Sequence, residues 1–215
     1  MSSLKSQFIT LEGVEGAGKS TQKDALCRLL DVNGVPYIET REPGGTSYAE
    51  SIRELLLSHS DDAPSAKTEL LLMFAARAQH LETRILPALE AGTWVICDRF
   101  TDATYAYQGG GRELPVDWIK TLETLVQGAK RPDLTLIFDV PIEIGLARAG
   151  RRGALDRIES EELAFFERVR AMYQQIASRE TDRVVMLDAS SDIESVTESM
   201  IALLMTRWNL SCHLG

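Results

Sequence analysis

Positive charge is scarce in this chain: 23 lysines and arginines stand against 32 aspartates and glutamates, a net charge of -9 at pH 7. Generic binding to a nucleic-acid backbone needs a surplus of cations on one face, so no nucleic-acid partner is expected. Any anionic ligand must be held by a local cluster. Cysteine is also sparse. Cys27, Cys97 and Cys212 are far apart and odd in number, which argues against a disulfide framework and against a zinc site. Cys27 and Cys97 sit in apolar patterns and read as small buried hydrophobes. Long apolar runs are missing too, so no membrane association is expected. The first residues lead straight into a strand-like run without a cleavable signal pattern, and the expected location is the cytoplasm.

What is present is an ordinary globular composition, with 44% apolar and 26% charged residues. A length of 215 residues suits one well-buried domain. Short apolar runs over 8–11, 37–40, 94–97, 134–140 and 184–187 alternate with longer stretches of helical periodicity. Each run is too apolar to face water on either side, which predicts an α/β fold: a five-stranded parallel sheet with helices on both faces. Helices are predicted over 19–32, 47–57, 68–81, 141–148, 161–179 and 192–208, with Asn33 and Gly34 ending the first. No internal repeat or linker divides the chain, so 1–215 reads as a single domain.

Residues 13–20, GVEGAGKS, fit the pattern G-x-x-x-x-G-K-[ST]. Glycines there let successive backbone N–H groups turn inward on a phosphate, and the following helix presents its positive end. Lys19 reaches the β and γ phosphates, and Ser20 offers a hydroxyl to Mg²⁺. The motif follows a predicted strand and opens a predicted helix, which makes the fold a three-layer P-loop NTPase. ATP is expected to lie against Gly13, Val14, Glu15, Gly16, Ala17, Gly18, Lys19, Ser20 and Thr21. Two reaction classes share such a cradle: phosphoryl transfer to a small acceptor, and a nucleotide switch or motor. The Asn-Lys-x-Asp signature of a guanine switch is missing. Arg41, Arg53, Arg77 and Arg99 lie beside turns or strand ends. Arg41 and Arg99 directly follow the second and third strands, where ligands of an open parallel sheet collect, and outline a second anion pocket.

Together with TREPGGT (40–46), DRF (98–100), AYQGGGR (106–112), RPDL (131–134) and LDRIE (155–159), the loop resembles that of bacterial thymidylate kinases, and the similarity runs from about residue 7 to 208. The resemblance implies a P-loop nucleoside monophosphate kinase, usually a homodimer, that moves the γ-phosphoryl of ATP to dTMP. It implies that Arg41 and Arg99 hold the acceptor phosphate, with Glu42 beside them. Arg99 would also stand near the phosphoryl in flight. Arg53 would fix the nucleotide, Arg77 would hydrogen-bond a thymine carbonyl, and Phe74 would stack on the base. Many relatives carry the stacking aromatic four residues before the arginine, where this chain has Met73, so both side chains are candidates. Thr104, Tyr107 and Gln108 would face the base or sugar, with Tyr107 disfavouring a 2′-hydroxyl. Glu15 would accept a hydrogen bond from the 3′-hydroxyl. Asp98 would orient Arg99 or a water on Mg²⁺, or simply cap the strand end.

The loop has Gly16 where some family members place a basic residue. Others carry that charge in a mobile lid, and the stretch 147–160 with Arg148, Arg151, Arg152 and Arg157 resembles this second type. Lys19, Arg99 and Arg152 are then the catalytic cations, and Arg148 helps to hold the donor. The turn over 188–190 is a candidate wall for adenine.

Overall fold

The computed structural model describes residues 5–60, 62–150 and 156–211. Its five strands are β1 (Phe8–Glu12), β2 (Tyr37–Arg41), β3 (Trp94–Asp98), β4 (Leu134–Asp139) and β5 (Val184–Asp188). They form one parallel sheet in the order β2-β3-β1-β4-β5, with Thr10 level with Cys97 on one side and Thr135 on the other. Every residue of the central β1 is buried because helices cover both faces. Ile9 and Leu11 point into one core with Leu26, Trp94 and Met200. Phe8 points into the other, with Val95, Cys97 and Phe100, where the Phe8 and Phe100 rings meet edge-on at 4.9 Å. Polar groups inside the sheet are paired: Thr10 Oγ1 and Thr135 Oγ1 lie 2.8 Å apart, and Thr135 donates to Asp102 Oδ2 at 3.0 Å.

The helices are α1 (Lys19–Val32), α2 (Ser47–Leu57), α3 (Ala66–His80), α4 (Leu86–Glu90), α5 (Thr101–Thr104), α6 (Val116–Gln127), α7 (Ile142–Ala149), α8 (Leu163–Arg179) and α9 (Ile193–Trp208). Their starts follow local chemistry. Thr46 accepts from Ala49 N at 3.2 Å, Ser65 from Thr68 N at 3.3 Å, and Asp192 from Ser195 N at 2.9 Å. Asn33 closes α1 through its side-chain donation to Leu29 O at 2.8 Å.

Two features depart from the sequence-based expectation. Helix α6 is an addition to it, although Ile119, Leu122 and Val126 recur at helical spacing after Pro115. The stretches Leu81–Ile85 and Tyr105–Gly111 are π-helical rather than loop or α-helix. In the second, α8 crosses so closely that a Cβ on Gly110 would lie 2.9 Å from Arg168 O, and one on Gly111 would lie 2.4 Å from the Phe165 ring. The glycines of AYQGGGR thus let a packed helix seat the segment that carries Tyr107 and Gln108.

Candidate active site

Between β1 and α1 the chain wraps a hollow lined by residues 15–21, Asp98, Arg99, Arg148 and Glu159. Helix α1 has no side-chain cap at Gly18, so its first N–H groups remain available to an anion. Gly18 (φ +86°) and Gly16 (φ +73°) both occupy the left-handed region. A Cβ on Gly16 would lie 2.0 Å from Gly145 O, so the loop tip touches the backbone of α7. That contact is the physical reason for glycine at this place. Lys19 Nζ donates to Gly13 O and Val14 O, each at 2.9 Å. Burial, and then the charge of Arg99, lower its pKa to about 8. A phosphate beside it would favour the charged form again.

Beside this hollow is a cleft reached by Glu15, Glu42, Arg53, Met73, Arg77, Arg99, Thr104, Tyr107, Gln108, Asp156 and Ile158. Glu15 and Arg99 line both spaces and are paired with each other. Tyr107 adds its hydroxyl, donating to Glu15 Oε2 at 2.8 Å and accepting from Arg99 Nη2 at 3.1 Å. Burial alone would raise the pKa of Glu15, but Arg99 and Lys19 outweigh it and hold the carboxyl below its usual value.

The backbone around Arg99 is held from below. Arg99 is left-handed at φ +65°, its N–H donates to Leu11 O at 3.0 Å, and the next N–H, of Phe100, donates to Glu12 Oε1 at 2.7 Å. Glu12 Oε2 accepts from Tyr173 at 2.7 Å. Burial and the nearby Asp102 push the Glu12 carboxyl up to about 8.

At the far end of the cleft Arg77 is fixed on several sides. Its Nε donates to Glu42 Oε2 at 2.7 Å, and its Nη2 donates to Phe100 O at 3.2 Å and Thr104 Oγ1 at 2.9 Å. Glu42 Oε1 is engaged by His80 Nδ1 at 3.0 Å. Arg77 Nη1 is buried with no partner, a donor available to a carbonyl. Met73 lines the cleft, whereas Phe74 is buried with Leu70 and Ile119, its ring 4.8 Å from the Arg77 guanidinium. Phe74 braces Arg77 from behind.

Of the other expected residues, Arg53 donates to Pro43 O at 2.9 Å from the cleft wall, and Arg148 in the phosphate hollow donates to Ala189 O at 3.0 Å. Arg41 does not join Arg99 in the cleft. It pairs with Glu50 at 2.9 Å in a neighbouring groove that also contains Ser20 and Asp98. Asp98 Oδ1 is buried and unpartnered, and Ser20 lines the same hollow. Arg151 and Arg152 lie outside the described residues, as does Cys212. Arg157, read from sequence among the lid cations, is committed elsewhere: it donates to Leu56 O at 2.8 Å and to Glu69 Oε2 at 2.6 Å. Asp156 and Ile158, from the LDRIE stretch, line the cleft in addition to the residues expected there, and Glu69 stands behind it as the acceptor for Gln108, a lone acid in an apolar helix with no local signature.

The family model described as thymidylate kinase matches residues 11–200. The thymidylate kinase of Pseudomonas putida (strain GB-1) is 60% identical over 197 residues, 92% of this chain and 94% of the relative. That of Pseudomonas fluorescens (strain SBW25) is 57% identical over 199 residues, covering 93% and 95%. Among solved structures, the thymidylate kinase of Ehrlichia chaffeensis superposes with a TM-score of 0.77 at 35% identity, over 94% of this chain and 99% of that one. Agreement of this extent, in sequence and in fold alike, makes the chain a member of the thymidylate kinase family.

Proposed function

We propose that the two spaces joined at Glu15 and Arg99 are the donor and acceptor halves of one site, where the chain transfers the γ-phosphoryl of ATP to dTMP and forms ADP and dTDP. The observation that carries this reading is the shared wall: one guanidinium and one carboxylate line both the phosphate hollow and the neighbouring cleft. A hydrolytic switch needs no such second cleft.

The reaction is an in-line displacement. An oxygen of the acceptor phosphate forms the new bond to the γ-phosphorus as the bond to the oxygen of ADP breaks. The second phosphate pKa is about 6, so the acceptor is already largely dianionic at pH 7 and needs no general base. That leaves Glu15 free to accept from the 3′-hydroxyl. The loop N–H groups, Lys19 and Arg99 surround the charge that moves between the phosphates. Arg77 presents Nη1 to a thymine carbonyl, with Met73 against the ring. Glu42 holds Arg77 on the acceptor side while Arg41 stays with Glu50 in the neighbouring groove, Arg148 steadies the donor, and Arg152 is the further cation in a lid over 147–160 of this single kinase domain.

The unpartnered Asp98 Oδ1 beside Ser20 fits Mg²⁺, which is held largely by phosphates and water and needs few protein ligands. Among the described residues no cluster of three or more acidic, histidine or cysteine ligands offers another metal site. When bound, Mg²⁺ supplies charge neutralisation on the phosphates.

The chain acts as a cytoplasmic homodimer in this reading. ATP and deoxynucleotide pools lie in the cytoplasm. The exposed Leu71, Trp118 and Leu125, at 56%, 42% and 79%, provide an apolar face on α3 and α6 for a second copy.

A coupled assay of ADP release with ATP and a panel of nucleoside monophosphates tests the activity. Turnover should depend on dTMP. Acceptor-independent hydrolysis as the main activity, or preference for a purine acceptor, would overturn the reading.

A further inference from the structure

Glu69 lies on α3, 1% exposed, and both its oxygens are fully used. Oε1 accepts from Gln108 Nε2 at 2.8 Å and from Arg112 Nε at 3.2 Å. Oε2 accepts from Arg112 Nη2 at 3.1 Å and from Arg157 Nη2 at 2.6 Å. Burial works against the ionised form, yet the hydrogen bonds from Arg112 and Gln108 prevail and keep its pKa below the usual value. An ionised carboxylate only accepts hydrogen bonds.

This fixes the direction of a neighbouring amide. Gln108 is buried in the wall of the acceptor cleft, and an isolated amide has two nearly isosteric orientations. Against Glu69 only one is compatible, with the NH₂ turned to the carboxylate. With the NH₂ turned to Glu69, the oxygen is the amide group left for Gln108 to offer the cleft it lines. Thymine and uracil carry a donor at N3, whereas cytosine carries an acceptor there.

We propose that Glu69 is a positioning residue for base selection: by locking the Gln108 amide with its oxygen toward the cleft, it makes the site accept pyrimidines with an N3–H and reject cytosine. The inference rests on the cleft being the dTMP site. Arg112 and Arg157 hold Glu69 charged and in place, so the orientation of one amide is set from three separate parts of the chain. Arg77 Nη1, directed at a ring carbonyl, adds its own discrimination against the exocyclic amine of cytosine.

The test is kcat/KM of wild type, Glu69→Gln and Glu69→Asp with dTMP, dUMP and dCMP. A glutamine at position 69 both donates and accepts, so it releases the Gln108 amide to turn over. The dTMP-to-dCMP ratio should fall by about tenfold or more in Glu69→Gln. The dTMP-to-dUMP ratio should stay unchanged, because both bases keep N3–H and both carbonyls. Glu69→Asp keeps an acceptor-only group and should retain the dCMP discrimination even if overall efficiency drops. General damage to the fold lowers all three substrates together and leaves the ratios alone. An unchanged dTMP-to-dCMP ratio in Glu69→Gln overturns the inference. If that variant yields no folded protein, Gln108→Leu takes its place: it removes the amide oxygen, so the same ratio should fall, and an unchanged ratio overturns the inference. Absence of dTMP turnover in the wild type would instead overturn the reading of the cleft.

Discussion

Alanine at Gly16 and alanine at Gly18 separate backbone strain from steric contact within one loop. Both positions are left-handed, at φ +73° and +86°. Placing an L-residue there costs about 1–2 kcal/mol. Loss of chain freedom in the unfolded state returns about 0.4–1 kcal/mol of this. Nothing lies within 4 Å of a Cβ on Gly18, so Gly18→Ala should lose about 1 kcal/mol net. A Cβ on Gly16 would stand 2.0 Å from Gly145 O and 2.7 Å from its carbonyl carbon. Those atoms are backbone and cannot rotate away, so α7 must shift, adding roughly 1–3 kcal/mol of overpacking. In a chain of 215 residues each kcal/mol moves Tm by about 2–4 °C. Thermal melts without nucleotide should therefore fall by about 2–4 °C for Gly18→Ala and about 4–16 °C for Gly16→Ala. Equal losses would refute the reasoning that the contact with α7, rather than the loop's own conformation, dictates glycine at 16. By the same geometry an arginine at that position has no room unless α7 moves.

Glu12 should give the protein an unusual dependence on pH. Its folded pKa is raised from 4.5 to about 8, so the stability it contributes is full below about pH 4.5 and is lost as pH rises through about 8. A tenfold change in proton affinity is worth about 1.4 kcal/mol, which puts the loss on the order of several kcal/mol at most. Glu12→Gln keeps an acceptor for Phe100 N and reverses the Tyr173 bond, its amide donating to the hydroxyl oxygen, without titrating, so its urea midpoint relative to wild type should rise steadily between pH 5 and 8; parallel profiles would dismiss the effect. Tyr107→Phe removes the hydroxyl that donates to Glu15 Oε2 at 2.8 Å. Preference for dTMP over its ribose counterpart, measured as a ratio of kcat/KM, should fall by about tenfold. An unaltered ratio would show that Tyr107 does not guard the 2′ position.

The sheet and the cradle are legible in the sequence because each leaves a local trace. Five apolar runs between helical periods specify a parallel sheet, and a loop that must turn its N–H groups onto phosphate needs glycines at fixed places. What stays hidden depends on partners distant in sequence. Met73 and Phe74 are adjacent on one apolar helix, and only Ile119 of α6 shows that Phe74 packs behind Arg77. Arg41 ends a strand much as Arg99 follows one, yet Glu50 one helix later draws it aside. Glu69 is one acid among leucines, and its meaning comes from Gln108, Arg112 and Arg157 far along the chain. The glycines of 109–111 are visible in the sequence, but the π-helical form of the turn and the close pass of α8 over it are not.

That last contact has a bearing on inhibitor resistance. Phe165, Arg168 and Met172 stand close to the glycines at 110 and 111 without lining the cleft, and Tyr107 and Gln108 lie in the middle of the same segment. A larger or smaller side chain on this face of α8 would shift the turn and reshape the acceptor cleft from outside. A compound made to fit the cleft closely can therefore be defeated by a substitution at a residue it never touches.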